Sequence, residues 1–296
     1  MHELKLMDVQ KKYEGKEAVR KFNYTFTNGV YGLLGENGAG KTTLMRLICG
    51  ILQTTDGSVY CDNLEIAGMG AEYRRLLGYL PQDFGYYGDF TAERFLRYMA
   101  ALKALPEEYA RCRIEELLEL VDLKDVKKKK LKTFSGGMIR RIGIAQALLN
   151  EPEILILDEP TAGLDPKERV RFRNIISSLG KNRIVLLSTH IVSDIEYIAN
   201  NILIMKNGEQ IQNGTEKEIT ENVKGHVWKC IVSEREVQQL NDKYIVSNLR
   251  SRGEYVELRI ISEVQPITGA EAVEGTLEDA YLYRTQIPGG RKNATL

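Results

Sequence analysis

The stretch GENGAGKTT at residues 35–43 constrains the fold of this chain more than any other part of the sequence. It fits the pattern G-x-x-x-x-G-K-[ST], follows an apolar run at residues 30–34 and precedes apolar residues at helical spacing. Glycines let successive backbone N–H groups curl around phosphate oxygens, and the next helix directs its positive end at the same place. The sequence therefore predicts a strand, a phosphate-binding loop and a helix within an α/β domain.

This loop is predicted to bind a nucleoside triphosphate. The ammonium group of Lys41 neutralises the β- and γ-phosphates, and the hydroxyl of Thr42 binds Mg²⁺. A flexible turn that merely contains a lysine is disfavoured, because a chance match to all four fixed positions occurs in roughly one chain in a hundred. The predicted nucleotide-binding residues of the loop are Gly35, Glu36, Asn37, Gly38, Ala39, Gly40, Lys41, Thr42 and Thr43.

A pair of acidic residues follows the apolar run at residues 154–157, which is typical of a buried parallel strand. Asp158 and Glu159 stand at the carboxyl end of this strand, where α/β sheets bind their ligands. We expect Asp158 to hold Mg²⁺ through water and Glu159 to polarise the attacking water as a general base. Pro160 favours an extended backbone at Glu159. An acidic loop after a core strand is the alternative interpretation of the pair taken by itself.

The segment FSGGM at residues 134–138 begins another predicted helix. Ser135 is a good N-cap residue, and the two glycines that follow leave the helix start bare enough to bind an anion. Considered alone, the segment is more often only the capped start of a helix.

With these motifs in this order, the chain resembles the nucleotide-binding subunits of ATP-binding cassette (ABC) transporters over about residues 3–220. Residues 35–43 match the Walker A loop, residues 134–138 the signature, and residues 155–159 the Walker B strand with its catalytic glutamate. The resemblance further identifies Gln82 in YLPQDFG as the Q-loop glutamine, Asp165 in AGLD as the D-loop aspartate, His190 in LLSTH as the switch histidine, and Tyr13 as the aromatic residue that stacks on adenine.

The resemblance implies an ATPase with ATP and Mg²⁺ as cofactors. Two cassettes, as a homodimer or a heterodimer, would close head to tail so that each ATP lies between the Walker A loop of one and the signature of the other. The implied catalytic residues are Glu159, His190, Gln82 and Lys41, the metal-binding residues are Thr42, Gln82 and Asp158, and the signature residues that act on the partner's nucleotide are Ser135, Gly136, Gly137 and Met138.

One position departs from the common family pattern. The signature usually ends in glutamine, and this chain has Met138, which makes no strong hydrogen bond. FSGGM followed by Arg140 and Arg141 is similar to cassettes that power multidrug, antibiotic and bacteriocin-type exporters. The resemblance therefore implies export of a drug, antibiotic or peptide rather than import.

Composition limits the partners and the location that we expect. The 41 lysines and arginines balance 41 aspartates and glutamates, so no nucleic-acid partner is expected. The 4 cysteines stand far apart, which is typical of free thiols in a reducing cytoplasm. No signal-peptide core and no bilayer-length apolar run is present in the sequence. We expect a cytoplasmic protein, peripheral on the inner face of the cell membrane through one or more separate polytopic membrane subunits.

Two other functions are weighed against transport. A soluble ABC ATPase that acts on the ribosome or on nucleic acid is one, but such relatives generally carry two cassettes in one chain or a long coiled-coil insertion. A GTPase is the other, and the sequence lacks a base-reading N-K-x-D motif in a suitable place.

The predicted fold class is α/β, with a P-loop NTPase core in which a RecA-like parallel sheet is joined by an antiparallel β subdomain. An inserted helical lobe and a small C-terminal α+β appendage complete it. Asn28-Gly29 predicts a β-hairpin, and Thr276 with Asp279 predicts a capping box at the last helix. The predicted ABC ATPase domain is 1–222 (core 1–88 and 151–222, lobe about 89–150), followed by an accessory domain at 223–285 and a flexible tail at 286–296.

Overall fold

The structure, a computed structural model, describes residues 2–286. The predicted tail lies outside the described residues from position 287 onward. The chain divides into two compact units, of which the first ends at Gln210 and the second begins at Ile211. Within residues 2–286, no helix is both long and apolar enough to cross a membrane.

The first unit contains both strands and helices. In chain order its elements are β1 (Leu4–Tyr13), β2 (Lys16–Phe26), β3 (Gly29–Leu34), α1 (Lys41–Ile48), β4 (Asp56–Cys61), β5 (Leu64–Glu65), α2 (Ile66–Met69), α3 (Ala71–Leu76), β6 (Leu77–Leu80), α4 (Ala92–Leu102), α5 (Glu107–Leu120), α6 (Gly136–Ala147), β7 (Ile154–Leu157), α7 (Pro166–Leu179), β8 (Ile184–Thr189) and β9 (Asn201–Lys206).

Up to Gln286, the second unit combines three short α-helices with a small sheet. Strand β10 (Glu209–Gly214) spans the boundary between the units. It is followed by α8 (Glu216–Thr220), β11 (Val227–Ser233), α9 (Glu234–Lys243), β12 (Ile245–Arg252), β13 (Tyr255–Ile261), β14 (Glu271–Ala272) and α10 (Leu277–Gln286).

A parallel sheet determines where the motifs of the first unit meet. Its strands run in the order β9, β3, β8, β7, β6, and each neighbouring pair is parallel. Every residue of β3, β7 and β8 is buried, as expected for strands covered on both faces. Because the carboxyl ends of parallel strands lie at one edge, the segments after Leu34, Leu157 and Thr189 come together there.

An antiparallel sheet in the order β2, β1, β4, β5 forms the predicted β subdomain. Its buried side chains, including Leu4 and Leu6, share one hydrophobic cluster with Leu44 and Leu47 of α1 and with Ile156 of the parallel sheet. Helix α1 is amphipathic because its apolar residues recur at helical spacing, and this face joins the two sheets. The predicted fold class is therefore confirmed.

The hairpin predicted at Asn28-Gly29 is wrong. Strands β2 and β3 belong to different sheets, since β3 pairs in parallel with β8 on one side and with β9 on the other. Gly29 donates its N–H to the carbonyl of Arg183 (3.0 Å), and Val30 donates to Oδ1 of Asn200 (2.7 Å). Both edges of β3 are thus occupied by parallel neighbours, and no edge is left for β2.

Helices α4, α5 and α6 form the predicted helical lobe. Thr91 caps α4 by accepting a hydrogen bond from the Arg94 N–H (3.2 Å). Arg141 on α6 is buried, and burial lowers the pKa of its guanidinium. It donates to the carbonyls of Val121 and Asp122 (both 2.9 Å), so it holds the segment that follows α5 against α6.

The compact units divide twelve residues earlier than the boundary predicted at 222, at Gln210. The reason is that the C-terminal helix holds this stretch. Arg284 on α10 donates to Gln212 Oε1 (3.0 Å) and to Asn222 Oδ1 (3.1 Å). Residues 211–222 therefore pack with the appendage, although their sequence continues the strand pattern of the core.

Asp279 organises the second unit. Thr276 and Asp279 form the predicted capping box, with aspartate in the place of the usual glutamate. The fully buried carboxylate also accepts hydrogen bonds from Ser247 Oγ (2.6 Å) and from the Arg259 guanidinium (2.7 Å). Burial opposes ionisation, but the bonds from Arg259 and Ser247 outweigh it and lower the pKa of Asp279.

We predict that Asp279→Ala lowers the free energy of unfolding of the second unit by about 2–3 kcal/mol, because Arg259 loses its buried partner. Trp228 is the only tryptophan of the chain and lies in β11, so its fluorescence during urea unfolding reports on this unit. A lowered native pKa stabilises the fold above the unfolded value, so the difference from the parent should shrink as the pH falls below 3.8. Glu278→Ala, at the exposed neighbouring position, is the matched control, and an equal loss there would contradict the prediction.

Candidate functional site

The loop between β3 and α1 is held close to neighbouring backbone. Gly40 has φ 106°, and a Cβ at this position would lie 2.3 Å from the carbonyl oxygen of Ala18. A Cβ on Gly35 would lie 2.6 Å from the carbonyl oxygen of Met205. Only glycine fits at these two positions. Helix α1 begins at Lys41 without a side-chain cap, so its first N–H groups are available to an anion.

Lys41 is buried beneath this loop. Its ammonium donates to the carbonyl oxygens of Gly35 (2.6 Å) and Glu36 (3.2 Å) and lies 3.4 Å from Glu159 Oε1. The carboxylate offsets the buried positive charge, which would otherwise be costly. A phosphate that enters the loop thus meets an ammonium already placed by the backbone.

A cavity of about 420 Å³ opens beside the loop, a size suited to a small-molecule ligand. Its lining brings together sequence-distant residues that the motifs predicted to cooperate. Tyr13, whose ring is about half exposed, stands at the cavity with the Lys11 ammonium 5.6 Å from its centroid. The lining consists of Tyr13, Lys16, Ala18, Glu36, Asn37, Gly38, Gly40, Lys41, Thr42, Thr43, Gln82 and Glu159.

Asp158 is fully buried behind the cavity and joins two segments through one oxygen atom. Its Oδ1 accepts hydrogen bonds from Thr42 Oγ1 (3.1 Å) and from Ser188 Oγ (2.7 Å). Its Oδ2 has no hydrogen-bond partner within the described part of the chain. A buried, unpartnered carboxylate oxygen beside a hydroxyl matches the hard oxygen donors that Mg²⁺ prefers. Thr42 and Asp158 therefore fit a Mg²⁺ site, and the exposed Gln82 lines the same cavity.

Glu159 adopts a backbone conformation that the sequence did not predict. Its φ is 46°, in the left-handed region, so the extended backbone expected from Pro160 is wrong. The Glu159 N–H donates to Ser188 Oγ (2.9 Å), and its carbonyl accepts from the Ala162 N–H (3.2 Å). These two bonds stabilise a conformation that costs on the order of 1–3 kcal/mol in a non-glycine residue.

His190 lies against the same glutamate. Its Nδ1 is 2.9 Å from Glu159 Oε2, while less than half of its side chain is exposed. Glu159 is thus contacted by Lys41 through one carboxylate oxygen and by His190 through the other. The structure brings together Lys41, Glu159 and His190, which the sequence placed in three separate motifs.

Ser188 is a site residue that the sequence reasoning missed. Its hydroxyl donates to Asp158 Oδ1 and accepts from the Glu159 N–H, so it links both acidic residues. The available signal was the pair of polar residues, Ser188 and Thr189, that ends an apolar strand just before His190.

Asp165 has a local structural role in this chain. Its Oδ1 accepts a hydrogen bond from the Glu168 N–H (2.9 Å) and so caps helix α7. Buried Asp194 holds the preceding turn, because it accepts from Thr161 Oγ1 (2.5 Å) and lies 3.7 Å from the Arg169 guanidinium. A contact of Asp165 with a second cassette stays a prediction.

The signature residues lie at the N-terminus of α6 and do not line the cavity beside the loop. Ser135 is the exposed N-cap, and its Oγ accepts from the Met138 N–H (3.2 Å). A Cβ on Gly136 would meet open space, whereas one on Gly137 would lie 3.1 Å from Glu168 Cγ. Gly136 lines a different cavity, of about 440 Å³. The signature residues therefore lie outside the cavity that holds Lys41 and Thr42, and Gln82 lines both cavities.

Known proteins are similar to this chain in sequence and in fold. A family model described as ABC transporter matches residues 19–162. The uncharacterized ABC transporter ATP-binding protein YxlF of Bacillus subtilis is 37% identical over 82% of this chain and 81% of its own length. The bacitracin transport ATP-binding protein BcrA of Bacillus licheniformis is 37% identical over 71% of this chain and 68% of its own length.

A solved structure matches the fold as well. It is the dimeric structure of a post-hydrolysis state of the ATP-binding cassette MJ0796 bound to ADP and Pi. The match covers 72% of this chain and 98% of that chain, with a TM-score of 0.66 and 26% sequence identity.

We predict that Ser188→Ala lowers kcat for ATP hydrolysis by about 10–100-fold, because the buried Glu159 N–H and Asp158 Oδ1 each lose a partner. Steady-state kinetics measure this loss, and ATP affinity should change much less. Ser178→Ala, which removes a hydroxyl bonded only within α7, is the matched control. An unchanged kcat in Ser188→Ala would contradict the positioning role.

Proposed function

This chain belongs to the ABC transporter ATP-binding proteins and is an ATPase, and from that membership we propose that two cassettes close around two Mg-ATP to power export. The partner cassette is a second copy or a related chain. Separate polytopic membrane subunits form the path, and the cassettes lie on the cytoplasmic face of the membrane. The exported substrate is a drug, an antibiotic or a peptide.

The observation that most supports a dimer is that the nucleotide cavity of one chain lacks the signature residues. The cavity beside the phosphate-binding loop holds Lys41, Thr42 and Glu159 but none of the signature residues in its described lining. The signature offers exposed Ser135 and the unobstructed Gly136. A second cassette turned head to tail would supply this helix end to the γ-phosphate, where its N–H groups stabilise negative charge.

The geometry supports a different role for each of these residues during ATP hydrolysis. Lys41 neutralises the β- and γ-phosphates, while Tyr13 stacks on the base at the open side of the cavity. Thr42, Gln82 and, through water, Asp158 would hold Mg²⁺, which would supply further neutralisation of phosphate charge. Glu159 accepts the proton of the attacking water, and His190 orients this carboxylate from its other oxygen.

Sequence similarity supports the class of transported substrate. BcrA, at 37% identity, carries bacitracin transport in its name. Residues 134–138 of this chain, with Arg140 and Arg141 after them, fit the same group of exporter cassettes. We therefore propose a drug, an antibiotic or a peptide as the exported substrate and assign its recognition to the membrane subunits.

We predict that Glu159→Gln binds Mg-ATP, accumulates as a dimer and loses at least about 100-fold in turnover, because the amide cannot accept the proton. Steady-state ATPase assays measure turnover, and size-exclusion chromatography with light scattering measures the mass in ATP. Glu108→Gln, at an exposed position on α5, is the control and should match the parent. A turnover near that of the parent would sink the base assignment, and a monomer in saturating ATP would sink the dimer.

A further inference from the structure

A mixed set of metal-binding side chains lies outside the nucleotide site. His2, Cys61 and Asp62 each offer one ligand atom, and these atoms all lie within 4.8 Å of one another. It is the one group of this kind found within residues 2–286. Neither the ATPase chemistry nor the proposed dimer uses these residues.

Strand pairing brings the three residues together. Strand β1 pairs antiparallel with β4, with Leu4 opposite Cys61, so His2 reaches the end of β4. Asp62 and Asn63 form the two-residue turn between β4 and β5, both with positive φ (49° and 65°). Cys61 and Asp62 thus stand at fixed positions on a tight hairpin.

The hairpin places one carboxylate oxygen of Asp62 in contact with His2. The Asp62 N–H donates to the Glu3 carbonyl (2.9 Å), and Asp62 Oδ1 accepts from the Glu3 N–H (2.8 Å). The other oxygen, Oδ2, contacts His2 Nδ1. The thiol of Cys61 is fully buried at the same place, whereas the side chains of His2 and Asp62 are 24% and 42% exposed and leave an entry path from solvent.

A carboxylate occupies the far side of the imidazole. Glu153 Oε2 lies 2.6 Å from His2 Nε2. The Glu153 backbone is fixed, because its N–H donates to Leu76 and its carbonyl accepts from Ile184 (both 2.9 Å). A carboxylate that accepts the Nε2 proton leaves the Nδ1 lone pair for a metal, an arrangement that accompanies most histidine ligands.

We propose that His2 Nδ1, Cys61 Sγ and Asp62 Oδ2 bind one Zn²⁺, with water as the fourth ligand and Glu153 as the residue that orients the histidine. One nitrogen, one sulfur and one oxygen ligand suit this borderline-soft ion better than Mg²⁺ or Ca²⁺. Tetrahedral zinc places its ligands about 3.5 Å apart, so small rotations of the two exposed side chains complete the site. The thiol proton leaves when the ion binds.

Zinc at this site would join the residues before β1, the β4–β5 turn and the residue before β7. The competing explanation is an ion-pair cluster in which His2 lies between Asp62 and Glu153 and takes no metal. The two explanations differ in the number of Zn²⁺ ions bound per chain and in whether the sulfur of Cys61 binds the metal. Both differences are measurable on the whole protein.

Zinc binding is measured on the untagged full chain, freed of metal with a chelator, in buffer without Mg²⁺ and nucleotide. Competition with a chromophoric zinc chelator should give one Zn²⁺ per chain in the parent and none at the same concentrations in Cys61→Ser or His2→Gln. Glu153→Gln should bind about 10–100-fold more weakly. Zinc should raise the melting midpoint of the parent and leave that of Cys61→Ser unchanged.

Two controls separate this site from others. Cys112→Ser removes an exposed free thiol elsewhere, and Asp158→Asn removes the carboxylate of the nucleotide site, and both should bind zinc like the parent. Co²⁺ added to the unmutated protein should produce a thiolate-to-metal absorption band. This test does not depend on whether a variant folds. Absence of zinc binding in the parent, full affinity in Cys61→Ser, or a cobalt complex without that band would each overturn the proposal.

Discussion

The carboxylate of Asp158 is the point on which the geometry of the nucleotide site depends. One of its oxygens accepts from Thr42 after β3 and from Ser188 in β8, while the residue itself follows β7. The carboxyl ends of the neighbouring strands β7 and β8 and the first turn of helix α1, which follows β3, thus meet at one buried atom. The second oxygen stays unpartnered within residues 2–286, and this unused acceptor is what makes the arrangement a fit for a magnesium ion.

Opposite charges stabilise one another among the residues nearest the cavity. Lys41 and Glu159 are both buried and lie 3.4 Å apart, so each offsets a charge that the interior disfavours. His190 contacts the free oxygen of the same glutamate. A triphosphate would bring new negative charge to Lys41 and leave Glu159 to act on water. In the proposed mechanism, one buried ion pair would link phosphate binding to proton transfer, and Ser188 holds the left-handed backbone of Glu159.

Residue type and spacing along the chain predicted those parts of the structure that depend on residues close together in the sequence. The loop at residues 35–43, the buried strand before Asp158 and the capping box of Asp279 follow from spacing and residue type alone. The hairpin predicted at Asn28-Gly29 was wrong because the residues of a turn do not show which strands pair. Both edges of β3 are occupied by β8 and β9. Ser188 was missed and the backbone of Glu159 misjudged for a related reason, since a hydrogen bond between neighbouring strands outweighs the bias of Pro160.

In the proposed mechanism, Lys41, which donates to the loop carbonyls, binds the triphosphate beside an uncapped helix end. Isothermal titration of Mg-ATP into Lys41→Ala tests it most directly, with Lys12→Ala, an exposed lysine paired with Glu17, as the matched control. We expect Lys41→Ala to bind Mg-ATP about 100-fold more weakly, because charge-assisted bonds to two phosphates are lost, and Lys12→Ala to bind like the parent. Undiminished affinity in Lys41→Ala would contradict the role of Lys41 in binding the triphosphate.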